Sequence, residues 1–212
     1  MTQRWTVGEP GPPAAVDGTM LSPRGERTRH KILEAAEEVF AEFGWQEASI
    51  VKITERAGVA QGSFYRYFIS KQAVFDELVA DLNRRVRRAM SEGAATGRTA
   101  AEAERLGFEA FFRFTADHPA LYRVVRQAEF ASPKAFRRHY DRIARGYITT
   151  LQSAMDAGEM IEADPEVLAY ALMGIGELIG LRWILWEGSD GVPSDKVDDM
   201  MAFIIRGLGL EP

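Results

Sequence analysis

The sequence predicts an all-α protein with an N-terminal helix-turn-helix segment and a larger helical remainder. Three observations lead there. Apolar residues recur at helical spacing along most of the chain, as in Ile50, Ile53 and Ala57. Ser-Pro, Asp-Pro and Gly signals punctuate these runs where helices start and stop. Nowhere is there a convincing strand-like alternation of apolar and polar residues.

Taken in order, residues 1–22 are rich in Gly and Pro, lack a sustained apolar period and lack the apolar core of a signal peptide, so they read as a disordered arm. Residues 23–70 form the helix-turn-helix segment. Ser22-Pro23 supplies an N-cap and a first-turn proline. The run to Phe43 then carries Ile32, Ala35, Ala36, Val39, Phe40 and Phe43 on one face, and Gly44 ends it. Basic residues crowd its leading half, so Arg27 and Thr28 are expected against DNA phosphates. Ser49 is the expected cap of a second helix ending at Ala57 and an expected DNA contact, and Gly58 supplies the positive φ that turns the chain. Ala60 to Tyr67 reads as a third, short helix. Gln61, Ser63, Tyr65, Arg66 and Tyr67 on it are hydrogen-bonding side chains suited to base edges and phosphates, whereas Phe64 and Phe68 suit the core. Two helices about a tight Gly turn make a helix-turn-helix, whose second helix fits the major groove. A surface αα-hairpin is the plainer alternative on spacing alone.

Arg27 to Leu78 resembles the DNA-binding domain of the tetracycline-repressor (TetR) family of bacterial transcription regulators. The resemblance is carried by Ile32-Leu33-Glu34-Ala35-Ala36, Phe40, Phe43-Gly44, Ile53, Ala57-Gly58-Val59, Gly62-Ser63-Phe64-Tyr65, Tyr67-Phe68 and Ser70-Lys71. It implies a three-helix reading head on an all-helical domain that dimerises and binds a small molecule. It also implies that the third-helix positions above meet DNA, that Lys71 meets a phosphate, and that repression is the default mode. Two positions depart from the pattern: Ala48 and Ala60 stand where the family usually has capping hydroxyl residues. Tyr65→Ala and Lys71→Ala are each expected to weaken operator binding without unfolding the dimer.

Composition sets further bounds. The net charge is −5, so DNA contact must rest on a local patch rather than on general basicity. There is no cysteine, which fits a reducing cytoplasm and rules out thiolate metal sites and cysteine nucleophiles. His30, His118 and His139 lack metal-ligand spacing, so no metal and no cofactor are expected.

Residues 71–212 read as a ligand-binding and dimerisation domain. A connector helix runs from Ser70 towards Met90, with Gly93 closing it. Helices follow at Ala101–Asp117, Pro119–Phe130, Ser132 to Gly158, Asp164 to Gly188 and Ser194 to Gly207. Val167 to Trp186 is apolar nearly all round, but Glu177 and Arg182 within it argue against a membrane span. A buried helix at a subunit interface explains it better, and the resemblance implies a four-helix dimer interface from the last two long helices. Leu172, Gly176, Gly180, Trp183 and Phe203 are the expected contacts.

Charge is uneven in this part. From Arg113 to Arg145 there are eight basic residues against three acids, interleaved with aromatic residues; after Gly146 there are three against twelve. Phe111, Phe114, Tyr122, Arg123, Arg126, Arg138, Tyr140 and Tyr147 are therefore the expected walls and mouth of a pocket. Its effector is expected to be an anionic amphiphile such as an acyl-CoA. The rival classes are a helical-bundle enzyme using carboxylates such as Glu109, Glu129 and Glu177, and a membrane-associated helical protein. No G-x-S-x-G elbow or phosphate-cradling Gly loop supports the enzyme.

Overall fold

In the computed structural model, which describes residues 15–210, several helices begin or end on local chemistry. α1 (Pro23–Glu47) is capped by Ser22, whose side chain accepts from Gly25 N, and breaks at Gly44 with φ 72°. α2 (Ile50–Ala57) is capped by Ser49, which accepts from Lys52 N at 3.2 Å. Gly58, left-handed at φ 64°, leads to α3 (Gln61–Tyr67), which has no side-chain cap at Ala60. α4 (Lys71–Ala94), α5 (Ala100–Asp117), α6 (Ala120–Ala131) and α7 (Pro133–Asp156) follow. α8 (Pro165–Gly180) is capped by Asp164 and runs into a π-helical turn, Leu181–Trp186; α9 (Ser194–Leu208) ends on Gly209. The all-α expectation holds throughout the described residues, with boundaries close to those read from the sequence.

The chain forms two compact units. The first comprises residues 15–82 with Ala120–His139, and the second comprises Asn83–Pro119 with residues 140–210. This differs from a linear division at residue 70, because α6 packs along α1 and Gln127 Nε2 donates to Phe40 O at 3.1 Å.

The core of the first unit contains Ile32, Phe40, Ile53, Phe64, Phe75 and Leu78, all fully buried. Phe40, Trp45 and Phe75 stack and edge against one another with centroids 4.9–5.8 Å apart. Burying one such side chain contributes about 1.5–3 kcal/mol, so this cluster is what fixes α1 against α4. Arg29 pairs with Glu77, and Arg56 bridges Glu38 and Glu42 at 2.8 and 2.7 Å, which ties α2 to α1.

In the second unit, Phe108 and Phe112 of α5 pack with Tyr147, Leu151, Leu172, Met201 and Ile204. Tyr140 OH donates to the Glu177 carboxylate at 3.0 Å. The link before α8 is held by Ile161 N donating to Leu208 O at 3.0 Å.

Candidate nucleic-acid interface and effector cavity

α3 is amphipathic in a way that leaves its polar face unused inside the first unit. Phe64 and Phe68 are buried, while Gln61, Gly62, Tyr65 and Arg66 are exposed and Ser63 and Tyr67 are half-buried. A Cβ on Gly62 would meet nothing within 4 Å, so no neighbour in the described chain demands glycine there. Close approach by something outside the protein would. The turn before α3 is closed by Gly58 N to Glu55 O at 3.2 Å and Val59 N to Thr54 O at 3.0 Å.

The other expected contacts fall in varied settings. Arg27 is exposed on the second turn of α1, and Thr28 donates its hydroxyl to Arg24 O at 3.0 Å. Ser49 caps α2, the role its sequence position suggests. Lys71 differs most. Its Nζ donates to Trp45 O at 2.8 Å and Ala48 O at 2.9 Å and lies 4.4 Å from the Trp45 ring centroid. This lysine pins the start of α4 to carbonyls at the end of α1, a job that competes with holding a phosphate.

The arm also departs from expectation. Residues 1–14 lie outside the described residues, but 15–21 pack on the first unit. Val16 N donates to Arg66 O at 3.0 Å, and Ala15 and Leu21 are buried. Hydrogen bonds from Thr19, and more weakly the Arg66 charge, hold the Asp17 carboxyl below its ordinary value.

In the second unit α4, α5, α7 and the end of α9 enclose a cavity of about 110 Å³. Its walls are mainly apolar, with Met90, Ala94, Ala103, Ile143, Leu151 and Leu208 among them. Arg87 and Glu104 also line it, and each has a solvent-inaccessible atom without a hydrogen-bond partner, Arg87 Nε and Glu104 Oε1. Burial first, then the like charges of Arg142 and Arg145, hold the Arg87 guanidinium below its usual value. Burial pushes the Glu104 carboxyl up to about 7, partly offset by a hydrogen bond from Tyr147. Burial, then the Glu104 charge, keeps the Tyr147 hydroxyl protonated well past its ordinary value. Such an arrangement can hold an apolar body with an acidic group at one end.

Residues 32–78 match the sequence profile of the bacterial regulatory proteins, tetR family. YdgC of Bacillus subtilis (strain 168), an uncharacterized HTH-type transcriptional regulator, is 27% identical over 193 residues, spanning 89% of this chain and 96% of that protein. The chain belongs to the TetR family. A fatty acid metabolism regulator protein of the same organism is 31% identical over 130 residues, 60% of this chain and 66% of its own. In fold, this TetR protein resembles the crystal structure of transcriptional regulator FadR from Bacillus subtilis in complex with stearoyl-CoA. The TM-score is 0.73 at 22% identity, covering 84% of this chain and 98% of that one. The exposed α3 thus belongs to a DNA-binding transcription regulator.

In this TetR regulator the expected effector residues are scattered. Only Tyr147 lines the cavity. Tyr122 is buried in the first unit, where Arg123, Arg126 and Arg138 are exposed. Phe111 packs on the second unit's core, Phe114 lies tilted against the His118 ring, and Tyr140 is engaged with Glu177. Arg87 and Glu104 were missed. The usable signal was helical phase, since Arg87, Met90 and Ala94 share one stripe of α4.

The expected interface residues need a comparable correction. Leu172, Gly176 and Gly180 are buried within one protomer, and a Cβ on Gly176 would sit 2.7 Å from Phe108 Cε1. Gly176 admits α5 of the same chain. The outward apolar face of α8 and its π turn is instead Val167, Tyr170, Leu178 and Trp186, with a Gly174 that has open space beside it. On α9 Phe203 is exposed, and Trp183 of the π turn is half-buried. Pro165–Trp186 is also long and apolar enough to cross a membrane by length and composition.

Proposed function

We propose that this chain is a cytoplasmic, homodimeric repressor that releases a palindromic operator when an anionic apolar effector fills the second-unit cavity. The observation that carries this reading is the pairing, in one TetR chain, of an outward polar side-chain face on α3 with an apolar cavity lined by a half-buried Arg87 whose Nε has no partner. Gln61, Ser63, Tyr65, Arg66 and Tyr67 are the proposed operator contacts. The outward faces of α8 and α9 are the proposed dimer interface, since a large exposed apolar face argues for a partner. A two-fold dimer carrying two α3 helices calls for half-sites about 34–36 Å apart or a multiple of that.

Acyl-CoA thioesters are the first effectors to test, because Arg87 with Arg142 and Arg145 beside it suits a phosphate or carboxylate and the walls suit an alkyl chain. The structural neighbour solved with stearoyl-CoA supports the same choice. The mechanism is population shift: ligand favours a state that misfits the operator, so ligand and operator must weaken each other by the same factor.

The test is fluorescence anisotropy on DNA from upstream of the chain's own coding region, at several salt concentrations, with and without acyl-CoA. Binding that beats scrambled DNA and is reversed by thioester supports the reading. Salt-sensitive binding without sequence preference, or operator binding that no thioester changes, counts against it.

A further inference from the structure

Among the polar residues that line the second-unit cavity, which include Ser91, Tyr147 and Thr150, two hold a buried atom without a partner: Arg87 Nε from α4 and Glu104 Oε1 from α5. The rest of the Glu104 carboxyl is accounted for, because Tyr147 from α7 donates to it. Thr150, also on α7, gives its hydroxyl to Gly146 O at 3.2 Å. From α9 and its exit only Leu208 and Leu210 reach the cavity. The like charges that act on Arg87 are those of Arg142 and Arg145, and burial with the Tyr147 hydrogen bond governs Glu104, so the two polar places answer to separate surroundings. An unfilled carboxyl lone pair among alkyl walls is costly, and a plain alkyl chain would leave it unfilled.

We infer that Glu104 selects the effector: its Oε1 accepts a hydrogen bond from a hydroxyl carried partway along an apolar acyl chain whose acidic end is held at Arg87. This rests on the effector reading above and narrows it from acyl ligands in general to hydroxylated ones. A cationic amine fits less well, since Arg87 lines the same cavity and already carries the like charges of Arg142 and Arg145 beside it. A hydroxyl brings the one donor that Glu104 lacks and little else to desolvate. Glu104 is thus a specificity residue, and Arg87 an anchor.

The test is calorimetric titration of the full chain with dodecanoyl-CoA and with each of its monohydroxy isomers. At least one isomer is expected to bind about tenfold or more tighter than the plain thioester, the gain of a hydrogen bond to a charged acceptor. The margin should widen from about pH 6 to about pH 8, because the carboxylate is the better acceptor. Comparing matched ligands cancels the titration of coenzyme A and of the arginines. In Glu104→Met the margin should vanish while plain dodecanoyl-CoA still binds; in Glu104→Gln, whose amide oxygen accepts, part of it should remain. If plain and hydroxylated thioesters bind the wild type equally, the inference falls and the effector reading stands. A preference that survives in Glu104→Met also overturns it. If no thioester binds, both fall. Should the Met variant not fold, the wild-type margin and its pH trend decide alone.

Discussion

Lys71 offers a direct contest between two roles. Its ammonium donates to two carbonyl oxygens at 2.8 and 2.9 Å and rests on the Trp45 ring. Hydrogen bonds to charged groups contribute about 1.5–3 kcal/mol each. Two of them share one half-buried cation here, and water can reach the carbonyls once it is gone, so the sum is discounted to about 3 kcal/mol. Lys71→Met keeps the aliphatic stem over Trp45 and removes only the donors. At a urea dependence of about 2 kcal/mol per M, the unfolding midpoint should drop by about 1–2 M. Circular dichroism in a urea series reads this, and anisotropy below the transition reads operator affinity, which should change less than about threefold. If the midpoint stays put while operator affinity falls about tenfold or more, the ammonium serves a phosphate and the clamp argument is wrong.

Four further outcomes are expected. Tyr65→Ala removes an exposed side chain, so operator affinity should fall about tenfold on anisotropy with no shift in the urea midpoint. Gly58→Val forces a β-branched residue into φ 64°; it should cost about 1–2 kcal/mol by urea titration and abolish operator binding. Leu178→Asp places a charge on the outward face of α8 and should turn a dimer into a monomer in sedimentation velocity without loss of helix content. Glu104→Gln should flatten the pH dependence of stability. The folded carboxyl titrates at about 7 against an ordinary 4.5, so its contribution is whole below about pH 4.5 and is lost as pH rises through about 7. The loss is about 3 kcal/mol at most, and urea midpoints from about pH 5 to about pH 8 measure it.

What the sequence made legible was local. Ser22, Ser49, Asp164 and Gly58 act on the few residues beside them, so capping and turn chemistry located the helices with little help from tertiary structure. The division of α3 into buried Phe64 and Phe68 and an exposed polar set was also readable, because the two sets lie on opposite faces of one short helix. α8 was not, since it is apolar on both faces and periodicity alone cannot say which one meets its own protomer. Phe108 decides that, by lying where a Gly176 side chain would go. The arginine excess between Arg113 and Arg145 pointed at a basic mouth, but that stretch is split between the two units, and only Arg142 and Arg145 act on the cavity's own Arg87. Lys71 and Glu104 owe their surroundings to residues far away in the chain, which no local pattern reports.

The discontinuous first unit has a consequence for biosynthesis. α1 is covered by α6, whose residues lie about a hundred positions further along, and Gln127 reaches back to Phe40. At about 5–20 residues per second, the ribosome releases α6 seconds after the helix-turn-helix has emerged. During that interval the α1 surface that α6 will cover faces solvent or a chaperone. A fragment cut after α4 would keep that surface permanently bare, so the DNA-reading segment should be expressed with residues through His139, and shorter pieces should aggregate.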